Sequence, residues 1–404
     1  NFLVYHPVWL MKGAVWLILG ICQIESDSCN RRPEGVSCMY RSGMTRLKLA
    51  LLTLSTLLTI ALTLTAADWD WQLPPSVPRP PVPADNPMSA AKVEFGRYLF
   101  YDQRMSVNAK TSCGTCHKQQ LAFTDGRARS EGTMGDLHPR SAMSLVNVAY
   151  APVLTWAHPT LDTLEKQALI PMLGEDPSEL GLGGFEKEDE EFISVVRRDP
   201  QYQRMFAQAF PGESQATMQH VIKAIAAFER SIVSMRSPYD RYKLQGDASA
   251  ISDAAKRGEA LFAKAKCAQC HGGLNFSSVR FEGGETTDQD GSLFANTGVE
   301  VYQAPNRGLF ERTGNARDVG KFRPPTLRNI AVTDPYMHDG SLATLEEVID
   351  HYAAGGKMFS PAKTPMLQPF QFTEAERDDL IEFLKSLTDQ EVLRDPRWSD
   401  PWAK

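Results

Sequence analysis

"TSCGTCHKQQ" (111–120) and "KCAQCHGG" (266–273) each place two cysteines and a histidine in the order C-x-x-C-H. That spacing lets two thiols add to the vinyl groups of one porphyrin while the next residue, histidine, reaches its iron from the same turn. Zinc also takes paired cysteines. It would require Cys113, Cys116, Cys267 and Cys270 to meet, and it would leave both trailing histidines without a purpose. Two separate copies therefore predict two covalently bound haem c groups, with His117 and His271 as axial ligands. The other axial positions decide the chemistry, because an open iron binds substrate and a closed one transfers electrons.

The sequence around the motifs repeats. "AAKVEFGRYLF" (90–100) precedes the first motif and "AAKRGEALF" (254–262) the second, each with Ala-Lys, a glycine and Leu-Phe. Two domains of related design is the simple reading. Their junction is expected near residue 240, where "RSPYDRY" (236–242) interrupts a helical pattern. Before it, "ATMQHVIKAIAAFERSIVS" (216–234) carries Val221, Ile222, Ile225, Phe228 and Ile232 on one stripe and reads as a core helix. "SAAKVEFGRYLFYD" (89–102) is a second expected helix. "TEAERDDLIEFLKSLTD" (373–389) is a third, opened by a capping box of Thr373 and Glu376. The proline-dense "QLPPSVPRPPVPADNP" (72–87) cannot be an ordinary helix or central strand and reads as an extended surface arm. No run of alternating strand residues stands out. The expected class is mainly α, two cytochrome c-like domains with one covalent haem each and long loops between helices.

Composition fits a soluble globular chain: 42% hydrophobic and 23% charged over 404 residues. The net charge of -6 argues against a nucleic-acid partner. Residues 44–67 form a basic start, an apolar middle and a small-residue end at Ala66-Ala67, the pattern of a secretory signal peptide. An uncleaved anchor is the rival reading. Residues 1–43 are expected to be upstream sequence, the mature protein to span 68–404, and its location to be the periplasm. Three of the seven cysteines (Cys22, Cys29, Cys38) fall in that leader, and the other four all belong to the haem motifs. None is left for the disulfides that an exported chain could use.

These stretches, with "LTWAHPTLDTLEKQALIPMLGEDPSELG" (154–181) and "FRPPTLRNIAVTDPYMHDGSLATLEEVIDHYAAGG" (322–356), carry a resemblance. Over nearly all of 88–390 the chain resembles the bacterial dihaem cytochrome c peroxidase and MauG superfamily. Within it, "FTDGRARSEGTMGDLHPRSAMSLVNVAYAPVLTWAHP" (123–159) and a Trp-rich N-terminal arm are most similar to MbnH-like enzymes.

The resemblance implies roles residue by residue. Residues 68–240 would hold the open, peroxide-reacting haem and 241–404 a six-coordinate one. Reductively activated relatives place a closing histidine sixteen residues after the first haem histidine; here that residue is Thr133, a poor iron ligand. His138 is the nearest substitute and reads better as a turn residue. Trp156 stands where the family has a tryptophan between the haems. Gln167 and Glu179 match the polar pair over the open haem, and Pro171 lies on the same wall. Glu179 is the expected general acid/base for moving a proton between the two peroxide oxygens; Glu175 reads as solvated. Tyr352 matches the second ligand of the other haem, with His351 facing about 100° away on the helix and Met337 off the position. Thr333 and Pro335 carbonyls match a calcium site whose usual asparagine is here Ser141. A surface tryptophan that MauG uses to pass holes to its substrate is here Ala265, so Trp69, Trp71, Trp398 and Trp402 become alternatives.

The function implied is a periplasmic dihaem oxidase. It would use hydrogen peroxide to reach a high-valent dihaem state and oxidise a partner protein, a tryptophan to kynurenine in an MbnP-like copper-binding protein. The alternative is a dihaem cytochrome c peroxidase that reduces peroxide to water with electrons from a small cytochrome or cupredoxin. A non-enzymatic electron carrier is the third reading.

Overall fold

Two helix crossings of the same construction organise the protein. The computed structural model describes residues 69–403 apart from 175, 176, 184, 185, 278, 283, 284, 289–293, 300, 301, 358 and 359. The expected leader and Glu175 therefore lie outside the described residues. The longer helices are α1 (Ala90–Tyr101), α2 (Glu186–Arg198), α3 (Pro200–Ala209), α4 (Met218–Ser231), α5 (Pro238–Gln245), α6 (Asp253–Lys264), α7 (Leu345–Ala353) and α8 (Glu374–Ser386).

Helix α1 packs on α4, and α6 packs on α8. At each crossing a glycine of the repeat is the point of contact. A Cβ on Gly96 would collide with the Ala224 carbonyl and touch Phe228, and one on Gly258 would collide with the Asp379 carbonyl and touch Phe383. Only glycine lets the backbones approach that closely. The repeat thus encodes a helix crossing, and the partner helices are equivalent too, since each phenylalanine follows the contacted carbonyl by one helical turn. The helix starts are those the sequence signals: Ser89 accepts from the Lys92 amide, and Thr373 and Glu376 cap each other's backbone at α8.

Each crossing has its own core. The first gathers Phe95, Leu99, Phe100, Tyr202 and Phe228, and the second Phe262, Phe276, Leu345, Leu380 and Phe383. Each such side chain contributes about 1.5–3 kcal/mol by leaving water. Buried polar contacts join the segments. Arg328 donates to both oxygens of Asp240 at 2.9 and 3.0 Å, and Arg230 to both of Glu165 at 2.8 and 2.9 Å.

The arm is extended with turns, as its prolines require, and is pinned at Asn86. That side chain donates to Glu165 at 2.6 Å and accepts from the Lys92 ammonium at 2.9 Å. Beyond α8 the chain returns to the first core. Gln119 donates to the carbonyls of Val392 and Asp395, Tyr101 to that of Trp398, and the Trp398 indole to Ser231.

One element departs from the sequence reading, which contained no strands. Residues Val279–Glu282 (β1) and Glu285–Asp288 (β2) form an antiparallel pair with Val279 opposite Asp288. Four residues on each side of Gly283-Gly284 are too few for alternation to register, although a Gly-Gly pair is a hairpin signal. The fold class stays mainly helical. Among the described residues, no helix is long and apolar enough to cross a membrane.

Candidate haem sites

The first motif forms a single helical turn, Cys113–Cys116, whose start Ser112 and Thr115 cap reciprocally. His117 ends the turn. Its Nδ1 lies 2.7 Å from the Phe123 carbonyl, which assigns the proton to Nδ1 and leaves Nε2 with its lone pair. In the second motif, Cys267–Gln269 is a 3-10 turn, and His271 Nδ1 meets the carbonyls of Pro325 at 3.1 Å and Phe276 at 3.3 Å. Burial pushes both imidazoles down, so both are neutral. Metal-ligating histidines are oriented this way, with the far nitrogen held by a carbonyl. All four cysteines are free of disulfides, and burial raises Cys116 and Cys267 to about 11, keeping them as thiols. The residues fit two covalent haems. Cys113, Cys116 and His117 would hold one, and Cys267, Cys270 and His271 the other.

The residues expected to face these histidines differ between the two sites. At the first, the Glu131–Leu137 bridge closes a loop that carries Thr133. The Thr133 hydroxyl donates to Asn108 at 2.5 Å, and its amide donates to the Glu179 carbonyl at 2.9 Å. The loop is thus fastened to the segment that bears Glu179. The Glu179 carboxylate, 36% exposed, lies 3.5 Å from His138 Nε2, while His138 Nδ1 accepts from the Arg140 amide. His138 is therefore engaged by a carboxylate and its own turn. Gln167 closes the short helix Leu164–Gln167, and Pro171 lies in the next, Leu169–Leu173. The Pro171 carbonyl accepts from the Leu180 amide, which brings the wall and Glu179 together.

At the second site Tyr352 lies near the end of α7. Burial pushes its phenol well up, and the Cys270 and Cys267 sulfurs belong to its surroundings. His351 is turned elsewhere. It is 1% exposed and its Nε2 meets the Thr297 carbonyl at 3.0 Å. Met337 sits at the edge of the second core in a left-handed backbone conformation.

Trp156 joins the two regions. Its indole donates to the Ser141 carbonyl at 2.9 Å, its carbonyl accepts from the Arg323 amide at 2.8 Å, and its ring lies 6.4 Å from that of His338. Ser141 in turn donates its amide to His338 and its hydroxyl to the Met337 carbonyl. The structure thus brings Ser141 against the segment that follows Pro335, while the Thr333 hydroxyl is turned to Ile330. Among the described residues no three His, Cys, Asp or Glu side chains gather as a metal group, so a cation here would rest on carbonyls and a hydroxyl. Ala265 ends α6. Of the four tryptophans named as alternatives, Trp398 is buried, Trp69 and Trp71 stack edge to face, and Trp402 is 37% exposed against Tyr98.

Two contacts had no sequence signal. Asn108 holds Thr133, and His138 faces Glu179, because distant loops converge.

Comparison with known proteins places the two motifs within haem-protein families. Residues 90–249 match the di-haem cytochrome c peroxidase family and 255–388 the cytochrome c family. The cytochrome-c peroxidase IdrP1 of Denitromonas iodatirespirans is 39% identical, over 81% of this chain and 90% of its own length. The methylamine utilization protein MauG of Methylorubrum extorquens is 36% identical, over 78% of this chain and 82% of its own. The crystal structure of a MauG-like protein associated with microbial copper homeostasis superposes with a TM-score of 0.78 at 44% identity, covering 83% of this chain and all of that one. The chain belongs to the di-haem cytochrome c peroxidase and MauG family, the haem oxidoreductases that use hydrogen peroxide.

Proposed function

We propose that the protein uses peroxide to oxidise a partner protein rather than to consume electrons from a small cytochrome. The observation that carries this reading is Thr133. Its hydroxyl is committed to Asn108, so the loop that closes the first haem in reductively activated relatives offers no ligand here. A site that rests open needs no prior electron from a donor.

The two covalent haems supply the oxidising power drawn from peroxide. The chain's own residues do the rest. Glu179 takes a proton from one peroxide oxygen and delivers it to the other, as a carboxylate in hydrogen-bond reach can. His138 holds that carboxylate in place, and Gln167 and Pro171 form the wall beside it. Trp156 links the sites, touching Ser141 on one side and Arg323 and His338 on the other. Tyr352 would offer the second haem a hard oxygen donor, and calcium at Ser141, Thr333 and Pro335 would stiffen the junction. Each peroxide withdraws two electrons from the partner and, with two protons, yields two waters. Likeness to a protein associated with microbial copper homeostasis supports a partner in copper handling. The partner proposed is a copper-binding protein of the MbnP type, in which a tryptophan gives four electrons to two peroxides, takes its new oxygens from water and, after hydrolytic loss of one carbon as formate, becomes kynurenine. In this reading residues 44–67 export the chain to the periplasm, and the mature protein divides near residue 240.

The test is to add peroxide to the diferric protein with such a partner and follow the partner's mass. A modified tryptophan is expected. Fast turnover with reduced cytochrome and an unmodified partner would favour the peroxidase reading, to which the IdrP1 likeness points. An unchanged second-haem spectrum in Tyr352→Phe would remove the tyrosine ligand.

A further inference from the structure

Among the described residues three arginines are buried, Arg230, Arg323 and Arg328, and two of them meet a carboxylate. Arg328 meets Asp240, and Arg230 meets Glu165, each through two oxygens. Arg323 is 8% exposed, yet its guanidinium reaches only the Thr155 carbonyl at 3.0 Å and the Met143 sulfur at 3.4 Å. A thioether is a weak acceptor. Among the described residues no carboxylate offsets that charge, and burial alone pushes the group down to about 10. Arg140 is half-buried nearby, where Glu311 offsets only part of the cost of its burial. It donates to Asn306 at 3.0 Å and covers the Phe322 ring at 5.3 Å, beside Arg323 in the chain. An isolated cation out of water is costly and survives where an anion completes it.

The place of this pair says which anion. Arg323 lies two residues before Pro325, whose carbonyl orients His271. Its amide holds Trp156, and Met143 approaches His117 through its backbone. Arg140 precedes Ser141, which holds the Trp156 indole. Both guanidiniums therefore stand at the junction of the two haem frames. A haem brings two carboxylates of its own, the propionates, and a guanidinium fork matches a carboxylate in shape.

We infer that Arg323, with Arg140 beside it, forms a built carboxylate site at this junction that takes haem propionates. Removing the charge leaves a propionate unpaired and favours ferric over ferrous iron. This inference concerns the protein's hold on its haems and stands whichever oxidation target the enzyme has.

The experiment uses the matured dihaem protein and its Arg323→Gln and Arg323→Lys variants. Midpoint potentials of both haems are read by spectroelectrochemistry, and propionate bending bands by resonance Raman. Gln is expected to shift the ferric/ferrous equilibrium of at least one haem tenfold or more toward ferric, about 59 mV for one electron, and to move the propionate bands. Lys, which keeps the charge, is expected to stay within threefold. Potentials and bands unchanged in Gln would overturn the site. So would a shift that appears only in chloride or phosphate buffer, which would make the occupant a small free anion. If Gln yields no haem-loaded protein, Lys decides: wild-type potentials support the site, and equal loss of haem in Lys reduces Arg323 to a packing role.

Discussion

The two halves of this protein share the frame that would attach a haem and differ in the residues proposed to face it. In the frame, each has a C-x-x-C-H turn, a carbonyl-held histidine and a helix crossing closed by a glycine. Facing it, the first would have a polar group of Thr133, Glu179 and His138, and the second a half-buried tyrosine, Tyr352. On the proposed reading the shared part attaches a haem and the divergent part decides what that haem does. A duplicated fold could then hold a reactive site and a storage site with few changes to its framework.

The comparison can be broken in four places, taken from the largest expected effect down. Glu179→Gln should slow the reaction with peroxide by about 10²–10⁴, the usual range for a positioned acid/base, and leave the second haem's spectrum unchanged. Stopped-flow mixing checks this, and a loss below tenfold would take the proton step from Glu179. Gly96→Ala and Gly258→Ala should each destabilise by about 1–3 kcal/mol, the cost of forcing packed elements apart. Thermal melts that show similar losses for both would confirm equivalent crossings, and a loss at one only would deny it.

A smaller effect lies in the first half alone. Burial raises the Glu229 carboxyl from 4.5 to about 8, and one of its oxygens is buried without a partner. Between those values the folded protein holds a proton that the unfolded chain has released, so stability falls as pH rises through that window. Glu229→Gln should flatten that fall and gain about 1–2 kcal/mol at pH 8, the scale of an unsatisfied buried group; denaturant titrations at pH 5 and 8 read it. Least affected should be His138→Asn, with peroxide reactivity reduced less than tenfold, because His138 touches Glu179 at 3.5 Å and acts through it. Loss of a first-haem ligand band in this variant would instead make His138 an iron ligand.

What the sequence made legible was whatever is local. The haem turns, the repeat and the helices at α1, α4 and α8 depend on residues a few positions apart, and periodicity or spacing exposes them. The hairpin at 279–288 is also local but too short for its alternation to register. What stayed hidden depends on distant loops meeting. His138 reads as a turn histidine and is one, yet its other nitrogen faces a carboxylate from a later segment. Nothing local marks Arg323, whose burial without a carboxylate only the structure shows. Tyr352 came from likeness to relatives, since no local pattern marks a tyrosine as a ligand.

The return of residues 392–398 to the first core has a consequence for the order in which the halves can be completed. Trp398 seals the first core, and Gln119 and Tyr101 complete their hydrogen bonds only with that segment. The first half therefore cannot complete its core until residues 392–398, made long after it, are in place. Removing that segment should injure the half made first.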